Sequence, residues 1–270
     1  MSVVLVTGPD VSRMNGAWRR GLKAKLGLSA VRETVVFLHG FGGTHRAWDG
    51  VAARLDSERY RALALDLPGH GAQAECERPI TFAGCVAHVL AAAPERFTLC
   101  GYSLGGRVAL HVALSAPARV RRLVLVATSA GIDDRDERSA RALADRRLAD
   151  ELESAPLERF IERWSVQPLF AADPPWVAEL AAEDQRRNRP TALAAALRGI
   201  GSGEMEPLWG RLGELAMPTT VIAGERDQKY RAHARRMVGL LPDAGLVVLE
   251  GGHRLALESP AAVAEALAAQ

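Results

Sequence analysis

The sequence predicts an α/β fold in which a mostly parallel, doubly wound sheet carries an inserted helical lid. Short runs rich in leucine and β-branched residues recur along the chain between turn residues, a pattern typical of buried parallel strands. Stretches rich in alanine and leucine, with apolar residues at helical spacing, alternate with these runs. The alternation stops between about residues 133 and 209, where helical segments follow one another without a strand.

The predicted strands are the apolar runs, at residues 34–38, 61–65, 97–100, 122–127, 219–223 and 246–249. The helices predicted between and after them cover residues 48–55, 81–93, 105–114, 230–241 and 260–269. Four further helices are predicted in the interruption, at residues 135–154, 157–164, 175–187 and 191–200. Because strands that alternate with helices pair in parallel, this order indicates one sheet with helices on both faces.

The interruption divides the chain into a core domain, residues 1–132 and 210–270, and a helical lid, residues 133–209. A chain of 270 residues can bury about three quarters of its unfolded surface, so the core needs neither disulfides nor a metal. The dense charge of residues 133–138 indicates a solvated lid helix with i,i+4 ion pairs. Residues 1–33 form a basic leader for which the sequence predicts no defined structure.

The charge balance and the cysteines limit the function classes. Lysine and arginine number 34 against 32 acidic residues, and a net charge of +2 gives no field strong enough to attract nucleic acid. Cys76, Cys85 and Cys100 have no CxxC spacing, which favours a reduced, cytoplasmic protein without a zinc site. The sequence has no run of 18 apolar residues and no secretion signal, so we expect no membrane partner. A monomer and a small homo-oligomer both remain open.

The strongest motif is Gly101-Tyr102-Ser103-Leu104-Gly105, which follows the predicted strand 97–100 and opens the helix after it. This is the G-x-S-x-G nucleophile elbow in its strand–turn–helix context. Glycines flank the serine because a sharp turn leaves no room for side chains, and the helix N-terminus favours developing negative charge. Ser103 is therefore the predicted catalytic serine.

A second glycine-rich turn, His-Gly-Phe-Gly-Gly at residues 39–43, follows the apolar run 35–38. Backbone N–H groups in such a turn can point into a cleft and, with the N–H of the residue after the serine, form an oxyanion hole. We assign this hole to the backbones of Phe41 and Leu104. An ordinary tight turn is the better explanation when this motif is considered by itself.

A catalytic serine needs a base and a carboxylate that orients the base, and in this arrangement the chain order is Ser, Asp or Glu, His. Asp227 follows the predicted strand 219–223, and His253 follows the predicted strand 246–249 in a Gly-Gly-His run. Parallel sheets place active sites at such strand ends. The other six histidines lie in glycine-rich turns, a loop or helical runs, so the predicted triad is Ser103, Asp227 and His253.

Together these motifs resemble the α/β-hydrolase superfamily from about residue 34 to the C-terminus. A narrower resemblance, to the family of 2-succinyl-6-hydroxy-2,4-cyclohexadiene-1-carboxylate synthases, depends on several segments. They are the elbow with its arginine at 101–107, the lid arginines at 138 and 141, Trp-x-x-Gln-Pro at 164–168, the glycine-rich run 197–203, and Gly-Glu-Arg-Asp-x-Lys at 224–229. The elbow specifies only the superfamily, whereas these segments together are much more selective.

The resemblance implies a cytoplasmic lyase that eliminates pyruvate from 2-succinyl-5-enolpyruvyl-6-hydroxy-3-cyclohexene-1-carboxylate in menaquinone biosynthesis, without a metal or an organic cofactor. The partner is then a small polyanionic substrate with three carboxylates. Arginine suits such a substrate because its guanidinium group can bind a carboxylate through two parallel hydrogen bonds. The substrate-binding residues that the resemblance implies are Tyr102, Arg107, Arg141, Trp164 and Lys229. Without the resemblance, a salt bridge better explains Arg107, and packing within the lid better explains Trp164.

Two other functions remain open. A carboxylesterase or C–C bond hydrolase uses the same triad with Ser103 as nucleophile, and a non-catalytic binding protein can share the fold, although a complete triad weighs against it. The chain also departs from the family before Asn188, where relatives often carry arginine. Gln185 takes that place, beside Arg186 and Arg187, and the sequence does not decide which of the three faces the pocket.

Overall fold

In the computed structural model, which describes residues 32–269, six strands form one sheet in the order β2-β1-β3-β4-β5-β6. The strands are β1 (Glu33–Leu38), β2 (Tyr60–Leu65), β3 (Phe97–Tyr102), β4 (Val120–Val126), β5 (Thr219–Gly224) and β6 (Ala244–Leu249). All five pairings are parallel, which confirms the predicted sheet. The predicted leader, residues 1–33, lies outside the described residues except for its last two positions.

The sheet is doubly wound because its central strands are apolar on both faces. Successive side chains of a strand point to opposite faces. In β1, Val36 and Leu38 accordingly belong to one buried apolar cluster, and Val35 and Phe37 belong to the other. Helices cover both clusters, as parallel strands require.

Ten α-helices accompany the sheet within residues 32–269. They are α1 (Asp49–Ala52), α2 (Phe82–Ala92), α3 (Leu104–Ser115), α4 (Arg135–Ser154), α5 (Leu157–Ser165), α6 (Pro175–Gln185), α7 (Pro190–Ile200), α8 (Gln228–Val238), α9 (Leu255–Glu258) and α10 (Pro260–Ala268). Helix α3 packs against β1, β3 and β4, the central strands, and its first turn directly follows the end of β3. None of these ten helices is both long and apolar enough to cross a bilayer.

Helices α4 to α7 lie between β4 and β5, in the segment predicted to form the lid. Helix α4 packs along α7, and these two helices share with α5 a small apolar cluster of their own. Phe41 of the core and Trp164 of α5 pack against that cluster, which brings the lid next to the glycine-rich turn at residues 39–43. The observed bounds of α4 equal the predicted ones. The domain boundaries at residues 132 and 210 stay predictions.

The predicted helix 48–55 is wrong in part. The Thr44 side chain accepts a hydrogen bond from the backbone N–H of Arg46, and this cap starts a 3₁₀ turn at His45–Trp48. Only Asp49–Ala52 is α-helical. A threonine cap can start a helix before its apolar residues begin, which hydrophobic spacing does not reveal.

Two further predicted bounds are corrected next to the strand ends that form the site. The predicted strand 122–127 stops at Val126, because Ala127 has a φ of 45° and leaves the extended conformation. The predicted helix 230–241 spans Gln228–Val238 instead, because the Asp227 side chain accepts the Tyr230 N–H and caps the helix.

Candidate active site

The nucleophile elbow has the strained backbone that its glycines predict. Ser103 joins β3 to α3 with φ 51° and ψ −110°. A Cβ atom on Gly101 would lie 2.3 Å from the Gly105 carbonyl oxygen, and one on Gly105 would lie 2.2 Å from the Leu38 carbonyl oxygen. Because no side chain fits at either position, only glycine allows the turn that presents Ser103.

The predicted triad residues meet at the carboxyl ends of β3, β5 and β6. His253 Nε2 lies 3.2 Å from Ser103 Oγ, and His253 Nδ1 lies 2.6 Å from Asp227 Oδ2. Both His253 and Asp227 are buried. When Nδ1–H donates to the carboxylate, Nε2 is left to accept the serine proton. The geometry is therefore that of a serine with a general base and an orienting carboxylate.

Three aromatic rings surround the His253 imidazole. The ring centroids of Tyr230, Tyr102 and Phe170 lie 4.4, 5.3 and 5.8 Å from that of His253. Sequence reasoning singled out Tyr102 within the elbow motif but missed Tyr230 and Phe170. Tyr230 was detectable in principle, since it stands three residues after Asp227 at the predicted start of a helix.

The predicted oxyanion donors belong to two segments next to strand β3, which carries Ser103 at its end. Phe41 lies in the glycine-rich turn after β1, which is the strand next to β3, and Leu104 is the first residue of α3. Neither backbone N–H donates to another group within residues 32–269. Two unpartnered N–H groups beside a catalytic serine can hold an oxyanion. The assignment of the hole to Phe41 and Leu104 stays a prediction.

Two polar side chains near the end of α6 hold the glycine-rich turn in place. Asp184 accepts the backbone N–H of Thr44 at 2.8 Å and also the Thr44 hydroxyl. Asn188 Nδ2 donates to the Gly42 carbonyl at 2.7 Å, while its Oδ1 accepts the Gly71 N–H at 2.9 Å. The lid segment thus supports the turn that carries Phe41, a role that sequence reasoning missed for Asp184.

Arg107 and Arg141 line the same cavity as Ser103 and His253. Arg107 is buried, its Nη1 donates to the Ile200 carbonyl at 3.2 Å, and it has no carboxylate partner among the described residues. Burial lowers the pKa of Arg107 to about 10, so the guanidinium stays charged at neutral pH. Its charge therefore faces the cavity, and the salt bridge considered from the sequence has no partner in residues 32–269.

The positive charge of Arg141 is partly neutralised by an acidic residue of the same helix. Its Nε donates to Asp145 Oδ1, one turn further along α4, at 2.7 Å. The two arginines together thus face one protein carboxylate, which leaves the cavity wall positive. A wall of this kind suits an anionic ligand.

The other implied binding residues differ in position. Tyr102 and Trp164 line the cavity, and Trp164 also packs on Phe41 with ring centroids 5.2 Å apart. Lys229 is exposed and does not line the cavity, and its Nζ lies 6.0 Å from the centre of the Tyr230 ring. The binding role of Lys229 stays a prediction without a contact to this cavity.

Of the three residues left open before Asn188, Gln185 is the one that faces inward. It is 4% exposed and lines a cavity next to that of Ser103, together with Phe41 and Tyr102. Arg186 points outward and pairs with Glu158. Arg187 is also exposed and pairs with the acidic side chains of residues 183 and 184. Of the three residues, the one that lines a cavity wall therefore carries an amide and not a guanidinium.

A buried ion pair next to His253 was not foreseen. Arg254 Nη1 lies 2.6 Å from Asp173 Oδ2, and both side chains are buried. The Arg254 guanidinium also lies 3.8 Å above the Phe170 ring. Asp173 and Phe170 belong to the lid, so the pair joins the lid to the loop of the candidate base. Among the described residues no cluster of three or more His, Cys, Asp or Glu side chains could hold a metal ion.

Comparison with known proteins defines the class of protein first. The alpha/beta hydrolase family matches residues 35–266. The match covers β1 from Val35 onward, the other five strands, the elbow and both other triad positions. The chain therefore belongs to the α/β-hydrolase family, and the fold predicted from the sequence is confirmed.

Similar proteins indicate a narrower family within this class. A 2-succinyl-6-hydroxy-2,4-cyclohexadiene-1-carboxylate synthase of Enterobacter sp. (strain 638) is 35% identical over 244 residues, which cover 87% of this chain and 90% of that protein. The Salmonella newport (strain SL254) protein of the same name is 32% identical over 240 residues, covering 87% and 92%. The structure of MenH from S. aureus matches with a TM-score of 0.82 at 30% identity, covering 88% of this chain and 92% of that chain. The chain belongs to this family of synthases, as its motifs predicted.

Proposed function

We propose that this protein is a lyase that eliminates pyruvate from 2-succinyl-5-enolpyruvyl-6-hydroxy-3-cyclohexene-1-carboxylate and so forms 2-succinyl-6-hydroxy-2,4-cyclohexadiene-1-carboxylate in menaquinone biosynthesis. One observation carries the proposal. The Ser103–His253–Asp227 relay opens into a cavity whose wall holds Arg107, a buried cation without a carboxylate partner among residues 32–269. The relatives named above support the choice of substrate.

The reaction starts with a proton transfer along the triad. His253 Nε2 takes the Ser103 proton, and Asp227 stabilises the imidazolium that forms. The Ser103 oxygen then removes the ring proton alpha to the succinyl ketone. The electron pair of that C–H bond moves onto the ketone oxygen and then returns through the ring double bond, which breaks the bond from the ring to the enolpyruvyl oxygen. The departing pyruvate enolate takes the proton held by the His253 imidazolium, and Ser103 keeps the ring proton, so the triad returns to its starting state. No bond forms between Ser103 and carbon.

The two oxyanion donors and the arginines act on different charges of the substrate. The ketone oxygen becomes negative as the proton leaves, and the N–H groups of Phe41 and Leu104 hold that charge. Arg107 and Arg141 bind substrate carboxylates, and Tyr102 and Trp164 form the wall against the ring. The resting charge of the substrate and the charge that develops during reaction are therefore held by separate groups.

The proposed setting is the cytoplasm, and the proposed partner is this polyanionic small molecule. The free thiols of Cys76, Cys85 and Cys100 support a reducing compartment. We infer a monomer or a small homo-oligomer that needs no nucleic acid, membrane or cofactor.

The experiment that tests the proposal is an assay of the pure protein with the enolpyruvyl precursor, in which released pyruvate is followed by lactate dehydrogenase. Simple carboxylic esters are assayed in parallel, and Ser103→Ala serves as the matched inactive control. We expect fast, Ser103-dependent pyruvate release and only weak ester hydrolysis. Efficient ester hydrolysis without pyruvate release would favour the carboxylesterase or C–C hydrolase alternative.

A further inference from the structure

Tyr230, in the first turn of α8, contacts all three triad residues. Its backbone N–H donates to Asp227 Oδ1 at 3.2 Å. Its ring lies 4.4 Å from the His253 ring, centroid to centroid. Its side chain lines the same cavity as Ser103, and a hydrogen bond with the Ser103 side chain partly opposes the rise that burial causes in the pKa of Tyr230. Neither the family motifs nor the proposed mechanism gives this residue a role.

The position of the Tyr230 hydroxyl follows from how its helix begins. Asp227 caps α8, and Tyr230 is the residue whose N–H the cap accepts. The cap therefore fixes the backbone from which the tyrosine side chain extends, and the contact with His253 fixes the plane of its ring. The same side chain lines the cavity together with Ser103, Arg107 and Arg141. A phenol held in this way needs little reorganisation to interact with the reacting serine.

The Tyr230 hydroxyl is a hydrogen-bond donor at neutral pH. Burial raises its pKa, although the nearby Arg107 and Arg141 oppose that shift. Ser103 has a single hydroxyl proton, which His253 Nε2 accepts, so the lone pairs on Ser103 Oγ remain available. The phenol can donate to one of these lone pairs without competing with the base.

We propose that Tyr230 is a further catalytic residue, whose hydroxyl donates a hydrogen bond to Ser103 Oγ while His253 removes the serine proton. The proton moves from Oγ to Nε2, Tyr230 keeps its own proton, and no other bond changes. Negative charge that develops on Oγ is then stabilised by a neutral donor already in place. This inference rests on the proposed function, in which the Ser103 oxygen acts as the base.

The test is Tyr230→Phe, which removes the hydroxyl and keeps the ring beside His253. We expect kcat for pyruvate release to fall about 10- to 100-fold, because one donor to a developing oxyanion is lost. We also expect KM to stay within about twofold of the wild-type value, since the lost bond is made to the enzyme and not to the substrate.

Tyr60→Phe is the matched control. The Tyr60 hydroxyl is buried at the start of β2 without a partner among residues 32–269, far along the sheet from the triad, so we expect wild-type kcat. The inference is overturned if Tyr230→Phe keeps wild-type kcat. It is also overturned if the variant loses activity only through a higher KM or a lower melting temperature.

A second measurement separates this inference from the proposed function. The rate at which a fluorophosphonate labels Ser103 depends on the serine and its base but not on the natural substrate. We expect labelling to be about 10-fold or more slower in Tyr230→Phe than in Tyr60→Phe. Slow labelling with no pyruvate release by the wild type would support the role of Tyr230 and reject the lyase. Normal labelling with normal pyruvate release would reject the role of Tyr230 alone.

Discussion

Ser103 is held in a backbone conformation that side-chain-bearing residues avoid. A non-glycine residue with a φ of 51° costs on the order of 1–3 kcal/mol. The surrounding bonds maintain it: the Ser103 N–H donates to the Val126 carbonyl at 2.9 Å, and the Thr128 hydroxyl donates to the Ser103 carbonyl at 2.7 Å. The strain directs Oγ away from the sheet and toward His253.

The triad prediction is tested by three substitutions. Ser103→Ala and His253→Ala each remove the proton relay, so kcat for pyruvate release should fall roughly 10⁴-fold or more. Asp227→Ala should be less severe, because it leaves the serine and the base in place. His111→Gln, on the helix after the elbow, is the control histidine and should retain activity. Near-normal turnover by His253→Ala would mean that another histidine is the base.

Substitution of the two cavity arginines distinguishes a role in substrate binding from a role in folding stability. Arg107→Ala and Arg141→Ala should each raise the transition-state free energy that kcat/KM reports by roughly 2 to 4 kcal/mol, because each removes a charge-assisted contact with a substrate carboxylate. Arg146→Ala is the matched control, since Arg146 is exposed on the same helix as Arg141 and pairs with Glu204. Normal kinetics for both cavity variants, combined with lower melting temperatures, would contradict a binding role.

At the scale of elements, the lid is attached to the core at both sides of the active site. Asp184 and Asn188 bind the turn that carries Phe41, and the Asp173–Arg254 pair binds the loop that carries His253. Both attachments join residues far apart in sequence. Lid helices were predictable from apolar spacing, but these polar contacts were not, because spacing gives no information about partners across the fold.

The lid attachment can be measured with a double-mutant cycle. Asp173→Asn or Arg254→Met alone leaves a buried charge without its partner and should lower the free energy of unfolding by about 3–5 kcal/mol. The double variant should recover part of that loss, because no unpaired charge remains. The exposed pair of Arg186 and Glu158 is the control, and Arg186→Met should leave the free energy of unfolding close to the wild-type value because water screens this pair. Additive effects in the Asp173–Arg254 cycle would contradict coupling.

At the scale of the whole molecule, the six strands and the turns that carry the predicted triad residues were predictable because each depends on a local signal. Apolar runs mark the strands, and the glycines around Ser103 and His253 mark the turns that follow β3 and β6. The inward direction of Gln185 and the contacts of Tyr230 were not predictable. The direction of a side chain near a helix end depends on where that helix begins or ends to within one or two residues, which a sequence pattern does not give. The contacts of such a side chain also depend on packing between segments that are distant in the sequence.

Stability should decline in mild acid because several histidines are buried. Burial lowers the pKa of His70 to about 3 and that of His111 to about 4. An unfolded histidine has a pKa of about 6.5, so below that pH the unfolded state binds protons that the folded state does not. The free energy of unfolding is therefore highest above about pH 6.5 and falls as the pH drops toward the folded-state pKa.

The measurement is urea unfolding of the wild type and of His111→Leu, each at about pH 7.5 and about pH 5. The wild type should lose more stability in acid than the variant, by about 1–2 kcal/mol, since one shifted histidine is removed. Equal losses in the two proteins would show that His111 does not titrate differently in the folded and unfolded states.

The most direct test of the mechanism is rapid-quench intact-mass spectrometry during turnover of the enolpyruvyl precursor. A hydrolase must pass through an acyl-serine, whereas a lyase in which Ser103 acts as a base forms no covalent intermediate. We predict that pyruvate accumulates while the enzyme mass stays unchanged at every quench time. A covalent adduct on Ser103 in the burst phase, with no pyruvate release, would contradict the account.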